Sequence, residues 1–329
     1  MFDVITFGSA TKDIFLSVKE SLVTQGEEFA TGEGVCFSLG SKINAEKMYF
    51  TSGGGGTNTA VTLAKQGLVV AYCGKVGNDG VGKNILKDLQ DYGVDTRLVS
   101  LTKEKFTNHS VVLDVPGKDR TIFVYRGASD LFTEEDVSFT DLRASWFYLA
   151  PFSRSSVPLF HRLIENAVSR NIKLMVNPSK IQLKNKNFKN ILSDVSVLLL
   201  NMEEASLLTG LSYEKKDEIV EKLADLVKDV VLITQGVDGV VGHSKGVYYR
   251  GKPVYPDAVD RTGAGDSFGS GFLSEFIRTG DVKKGIQFGI ANSTACLQKQ
   301  GAKHGLLKKG ESYPQNPVIM GSDLRSLKW

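Results

Sequence analysis

Long apolar runs are missing from this sequence. Its purely apolar stretches, such as 197–200, fall far short of the ~18 residues that span a bilayer, so no membrane partner is expected. The first ten residues carry no basic flank and read as a strand rather than a targeting segment. Cysteine is scarce: Cys36, Cys73 and Cys296 are scattered and odd in number, which argues against a disulfide framework and predicts a reducing, cytoplasmic setting. The four histidines share no metal-ligand spacing and read as surface or structural residues. Charge of one sign is also lacking. With 40 Lys and Arg against 37 Asp and Glu the net charge is +3, which gives no reason to expect nucleic acid or an anionic membrane as partner.

What the chain has in excess is glycine, 34 of 329 residues, against a usual ~7%. Extra glycine means tight turns and close backbone approaches, which suit a nucleotide or phosphate binder. After a first strand at 4–7, residues 14–51 carry alternating segments (14–18 and 47–50) around a polar stretch at 24–34, and read as a small inserted sheet. Residues 110–115 and 121–125 read as two further strands of that sheet, joined by a turn at 116–119. Elsewhere strands (69–73, 146–149, 173–176, 195–200, 230–234) alternate with helices (58–66, 81–92, 157–170, 202–208, 215–227), followed by a hairpin at 240–249. That rhythm predicts an α/β fold, a doubly wound and mostly parallel sheet with helices on both faces. The tail from 303 onward is polar and suggests no element.

Two segments carry chemistry. Asp260-Arg261-Thr262-Gly263-Ala264-Gly265-Asp266 precedes a helix read at 269–278. Small residues at Gly263, Ala264 and Gly265 let backbone N–H groups converge at a helix N-terminus, an anion site. A carboxylate there suits a base that takes a proton from a hydroxyl while the N–H groups hold charge on a transferred phosphoryl group. A capped helix start with a tight entry turn is the other reading of the same residues. The second segment, Gly53-Gly54-Gly55-Gly56-Thr57-Asn58, lacks side chains where something must approach the backbone, and Asn58 offers donor and acceptor to a polyhydroxylated ligand. A flexible linker between sheet and helix is the alternative. Neither the Walker A spacing nor the dinucleotide fingerprint is met.

In this order and roughly 200 residues apart, the two segments resemble the two signatures of the ribokinase-like (PfkB) sugar kinase family. Gly74-Lys75-Val76-Gly77-Asn78-Asp79-Gly80 continues the first, and Arg261 is the single departure from the family's Asp-Thr-Thr-Gly-Ala-Gly-Asp motif. The resemblance runs over residues 3–302. It implies a ribokinase-like fold with a small β-sheet lid: 1–13, 52–104 and 128–329 forming the α/β nucleotide- and substrate-binding domain, and 14–51 with 105–127 the lid. It implies transfer of the γ-phosphoryl group of ATP to a sugar hydroxyl, with Asp266 as general base and the 263–265 backbone as anion hole. By the same resemblance Asp13, Gly53, Gly54 and Asn58 hold the sugar. Asn201 and Glu204 organise Mg²⁺ through water, and Thr234, Gly236, Gly239 and Asn292 surround the nucleotide. Asp260 and Thr262 match positions of a monovalent cation site for K⁺, although Gly305 stands where a serine is expected.

The substrate is less constrained. The strand at 146–149 runs into Ala150-Pro151-Phe152 without the carboxylate that ribokinases carry there, and Arg126 at the lid edge would suit an acidic or phosphorylated sugar. Tyr49, Phe50, Phe123 and Tyr125 keep a nucleoside (adenosine-type) acceptor as the alternative. Ile14, Leu16, Val18, Met48, Phe50, Val111, Leu113, Ile122 and Val124 are too many apolar residues for a thin sheet with one covered face, and predict a homodimer through the lid.

Overall fold

A computed structural model describes the chain apart from residues 20–22, 28, 30, 31, 116–119, 228, 255–257 and 329. The turn expected at 116–119 lies outside the described residues. In chain order the first elements are β1 (Phe2–Phe7), β2 (Thr11–Ser17), β3 (Val23–Gln25), β4 (Glu33–Val35), β5 (Lys47–Gly53), α1 (Gly55–Lys65), β6 (Val70–Gly77) and α2 (Gly80–Asp91). They are followed by β7 (Val99–Thr102), β8 (Asn108–Asp114), β9 (Thr121–Tyr125), β10 (Ala144–Leu149), α3 (Val157–Ser169), β11 (Lys173–Val176) and α4 (Lys180–Leu183). The rest are β12 (Val197–Asn201), α5 (Met202–Thr209), α6 (Lys216–Leu226), β13 (Val230–Thr234), β14 (Val240–Ser244), β15 (Val247–Gly251), α7 (Ala264–Thr279), α8 (Val282–Leu297) and β16 (Val318–Gly321).

Ten strands form one sheet in the order β16-β15-β14-β13-β12-β11-β10-β1-β6-β7. Pairing is parallel from β7 to β13 and antiparallel through β14, β15 and β16. The inner strands are apolar on both faces because helices cover both. In β12, Leu198 and Leu200 join one buried cluster, and Val197 and Leu199 join the cluster on the opposite face. Phe147 and Leu149 against Trp146 and Tyr148 divide β10 in the same way. The chain steps from β1 to β6 on one side and to β10 on the other, so the sheet's topological switch point lies between β1 and β10. A crevice is expected beyond their carboxyl ends, at Gly8-Ser9 and Ala150-Pro151.

The second sheet has the order β5-β2-β8-β9, with β2 and β8 parallel. Its register separates two faces. One carries the row Thr51–Asp13–Ser110–Val124, and the other carries Phe50–Ile14–Val111–Phe123. The small β3–β4 ribbon covers part of the second face, where Val18, Leu113 and Val115 are buried among Leu16, Val23, Val35 and Val111.

Three elements depart from the sequence-based reading. The tail is ordered: β16 completes the sheet edge beside β15, and Leu324 is buried against the main core. Three apolar residues between polar ones carry no period of their own, so the strand is made by the partner edge. Helix α8 was not foreseen. Its Gly285 and Gly289 are poor helix formers, but a Cβ at Gly285 would stand 2.8 Å from the Phe272 ring and one at Gly289 2.9 Å from the Phe268 carbonyl, so close packing on α7 demands them. Helix α7 begins at Ala264 rather than 269, which puts Asp266 in its first turn.

Candidate active site

Helix α7 starts abruptly because Gly263 takes a left-handed conformation, φ 77°, and a Cβ there would strike that of Ala302 at 2.4 Å. The N–H groups of Ala264, Gly265 and Asp266 therefore have no preceding turn to donate to, and the positive end of a sixteen-residue helix lies behind them. The side chain of Asp266 accepts a 2.9 Å hydrogen bond from Asn58 Nδ2, which comes from α1. Burial raises the Asp266 carboxyl above its ordinary value, while the Asn58 bond and the Lys303 charge pull it back. Of Asn58 itself, Oδ1 is buried with no hydrogen-bond partner among the described residues.

The glycine run lets side chains of other elements close in. A Cβ on Gly53 would stand 2.1 Å from Asp13 Oδ2, and one on Gly55 would stand 3.4 Å from Asp266 Oδ1 and 3.2 Å from Pro151. The run is thus a packed turn between two carboxylates rather than a linker. Asp13, on β2, is 6% exposed. Burial pushes its carboxyl up to about 6, against a hydrogen bond from Ser110 and the charge of Lys303.

Lys303 was not among the expected site residues, because the tail suggested no structure. It is 3% exposed, and its Nζ donates to Ser52 Oγ at 2.9 Å, while Ser52 in turn donates to Asp88. Burial lowers its ammonium to about 8, with Asp88, Asp13 and Asp266 opposing that fall. Its only sequence signal is its position two residues after Gly301, whose N–H donates to Asp260 Oδ2 at 2.9 Å.

Two cavities open beyond the carboxyl ends of the parallel strands. One, of about 220 Å³, lies at the switch point, with Gly8, Ser9, Asn108, Ser129, Pro151 and Ser156 in its wall. Arg126 lines it too, exposed and without a hydrogen bond or ion pair among the described residues. The other, of about 480 Å³, is walled by Thr234, Gly236, Gly239, Arg261, Phe268 and the Ala264-Gly265 backbone. Ala264 and Gly265 thus line the larger, more apolar cavity, and Pro151 of the smaller one meets the same Gly55 position as Asp266 Oδ1.

Other expected residues have partners within the protein. Asn292 is wholly buried and is not in the wall. Its Nδ2 donates to the Ser267 carbonyl and its Oδ1 accepts from Leu307 N–H, so it ties α8 to α7 and the tail, and Ser293 and Thr294 line the cavity instead. Asn201 and Glu204 form a reciprocal capping box at the start of α5, and Asn201 pairs with Thr234 at the strand ends. Burial raises the Glu204 carboxyl. Asp260 and Thr262 both accept hydrogen bonds from Arg120, at 2.7 and 2.8 Å. Of the lid aromatics, Phe50 and Phe123 stand on the face opposite Asp13, and none of Tyr49, Phe50, Phe123 and Tyr125 lines the polar cavity.

The chain is similar to known proteins along most of its length. The chain is 27% identical over 306 residues to a ribokinase of Staphylococcus aureus, covering 91% of this chain and 95% of that one. It is 25% identical over 312 residues to an ATP-dependent 6-phosphofructokinase of Thermoanaerobacterium thermosaccharolyticum, covering 90% and 94%. Its fold matches that of Arabidopsis thaliana ribokinase complexed with ribose and ATP, with a TM-score of 0.76 at 23% identity over 93% of this chain and 96% of that one. Residues 30–309 match the pfkB family carbohydrate kinase description. The chain belongs to that family of phosphotransferases, which act on a sugar hydroxyl.

Proposed function

We propose that the protein transfers the γ-phosphoryl group of ATP to a hydroxyl of a sugar that also carries an anionic group, a sugar phosphate or sugar acid. The observation that carries the phosphotransfer reading is the position of Asp266, in the first turn of α7 next to the Ala264-Gly265 wall of the larger cavity and bonded to Asn58 of the glycine run. The larger cavity takes the nucleotide and the polar one the acceptor. The acceptor hydroxyl meets Asp266, whose raised carboxyl is a better base than an ordinary one. The buried Oδ1 of Asn58 and the carboxylate of Asp13 accept other hydroxyls of the sugar. The N–H groups of Ala264, Gly265 and Asp266 stabilise charge on the moving phosphoryl group. Mg²⁺ neutralises phosphate charge when bound. Glu204 fits a water-mediated contact to it, since the capping box engages only Oε2. The anionic group of the acceptor pairs with Arg126, which has no hydrogen bond or ion pair among the described residues and shares the cavity with several hydroxyl side chains.

The lid also supports self-association. Phe50 and Phe123, 53% and 59% exposed, end one cross-strand row on the outer face. Pairing of two lids covers them. Sedimentation at micromolar concentration is expected to show a dimer, and Phe50→Glu with Phe123→Glu a folded monomer; a monomeric wild type would refute the pairing.

Asp266→Asn keeps size and removes the base, so kcat is expected to fall by about a hundredfold or more while nucleotide affinity stays within a few-fold. A folded variant that keeps more than about a tenth of wild-type kcat would take Asp266 out of this role. The carboxyl of Asp13, raised to about 6, is ionised above that pH, so kcat/KM is expected to fall as pH drops through it. Loss of the Lys303 charge near pH 8 gives an alkaline limb. Lys303→Met is expected to abolish the alkaline limb and to move the acid limb to higher pH, because both carboxylates lose their counter-charge. An unchanged pH profile would separate Lys303 from the site.

An ADP-release screen over neutral sugars, sugar phosphates, sugar acids and nucleosides tests the substrate. Turnover is expected with the anionic sugars, and Arg126→Ala is expected to raise their KM about tenfold or more without a matching change for neutral sugars. Preference for a neutral sugar or a nucleoside would overturn the assignment of Arg126.

A further inference from the structure

Arg120 stands immediately before β9, on the lid, whereas Asp260 and Thr262 open the anion loop 140 residues later. Its Nη1 lies 2.7 Å from Asp260 Oδ1 and 2.8 Å from Thr262 Oγ1. Asp260 is 8% exposed, and both of its carboxylate oxygens accept hydrogen bonds. Oδ1 accepts from Arg120, from Thr262 N–H at 2.9 Å and from the Thr262 hydroxyl at 2.7 Å, and Oδ2 accepts from Gly301 N–H at 2.9 Å. Three of the four donors converge on Oδ1, the oxygen that Arg120 meets. Burial alone would raise this carboxyl, but the Thr262 hydroxyl, the Gly301 and Thr262 N–H groups and the Arg120 guanidinium hold it below its usual range. It is therefore ionised, and its charge is already met.

These are the two side chains that the sequence resemblance assigns to a monovalent cation. The residues present do not fit one. An added K⁺ would have to displace the guanidinium from Asp260 or sit in contact with another positive charge, and it would find no unused carboxylate oxygen.

We propose that Arg120 is the built-in cation of the anion loop. It is a positioning residue, delivered by the lid, that holds the 260–263 turn against Gly301-Ala302 and so fixes the N–H groups of 264–266. Two consequences follow from its place in the fold. The enzyme works without an added monovalent cation. The anion loop is complete only when the lid lies on it, so phosphoryl transfer is coupled to lid position through one side chain. The proposal rests on the reading of residues 263–266 as the phosphoryl-binding loop.

The test compares wild type, Arg120→Gln and Arg120→Lys in choline chloride, NaCl and KCl at constant ionic strength. Two constants are read: kcat with the best acceptor of the screen, and calorimetric affinity for a non-hydrolysable ATP analogue, which needs no acceptor. Wild type is expected to keep both constants within about twofold across the three salts. Arg120→Gln is expected to lose about tenfold or more in kcat and to bind the analogue more weakly in choline chloride, and to regain most of both in KCl or with guanidinium added. Arg120→Lys is expected to stay independent of the salt. A purely structural arginine would give a loss that no cation relieves, and that result would overturn the proposal. A wild type activated more than about fivefold by K⁺ would overturn it as well. If no acceptor in the screen is phosphorylated, the substrate assignment fails, while the calorimetry still decides the role of Arg120.

Discussion

The site depends on one hydrogen bond, from Asn58 Nδ2 to Asp266, joining residues 208 positions apart in the chain. It locks the first turn of α1 to the first turn of α7, and both helix starts follow glycines with positive φ, Gly54 and Gly263. That junction sets what the proposed reaction uses together: the Asp266 carboxylate, the orphan N–H groups of the α7 start and the glycine turn before α1. The glycines make it possible because no Cβ keeps the two turns apart.

The second constraint is charge in a place of low polarity. Asp13 and Lys303 are nearly buried, Asp266 is raised by burial, and Asp260 is nearly buried as well. Isolated charges there would be costly. The structure offsets the cost by interleaving signs: Lys303 faces Asp13, Asp266 and Asp88, and Arg120 meets Asp260. Two of these partners come from opposite ends of the molecule's architecture. Lys303 follows the last long helix, and Arg120 comes from the lid. The acidic groups near the phosphoryl path are thus balanced by protein cations, so that an anionic nucleotide is not simply repelled.

Much of this was legible in the order of residues. The parallel core could be read because β10, β12 and β13 are short apolar runs between helical periods, and burial on both faces leaves that mark. The anion loop and its carboxylate could be read because small residues next to an acid, just before a helix, have few uses. The glycine run could be read for the same reason. What was not legible is equally specific. Helix α8 and strand β16 owe their form to Phe268, Phe272 and the β15 edge rather than to their own periodicity. Asn292 was expected at the nucleotide, but both ends of its amide are spent on Ser267 and Leu307, which no local pattern announces.

By itself the sequence determined the layers, the glycine turns and a carboxylate beside the free N–H groups of a helix start. Each of these depends on neighbours within a few residues, through periodicity, through φ, or through the free N–H groups of a helix start. Only the tertiary structure decided which charges stand beside them. Lys303 acts on Asp13 and Asp88, and Arg120 on Asp260, each more than a hundred positions away, and a solitary lysine or arginine in a sequence looks the same whether it faces water or a buried carboxylate. Its role is set by burial and by the distance to its partner, and both exist only after the lid, the tail and the sheet have packed together.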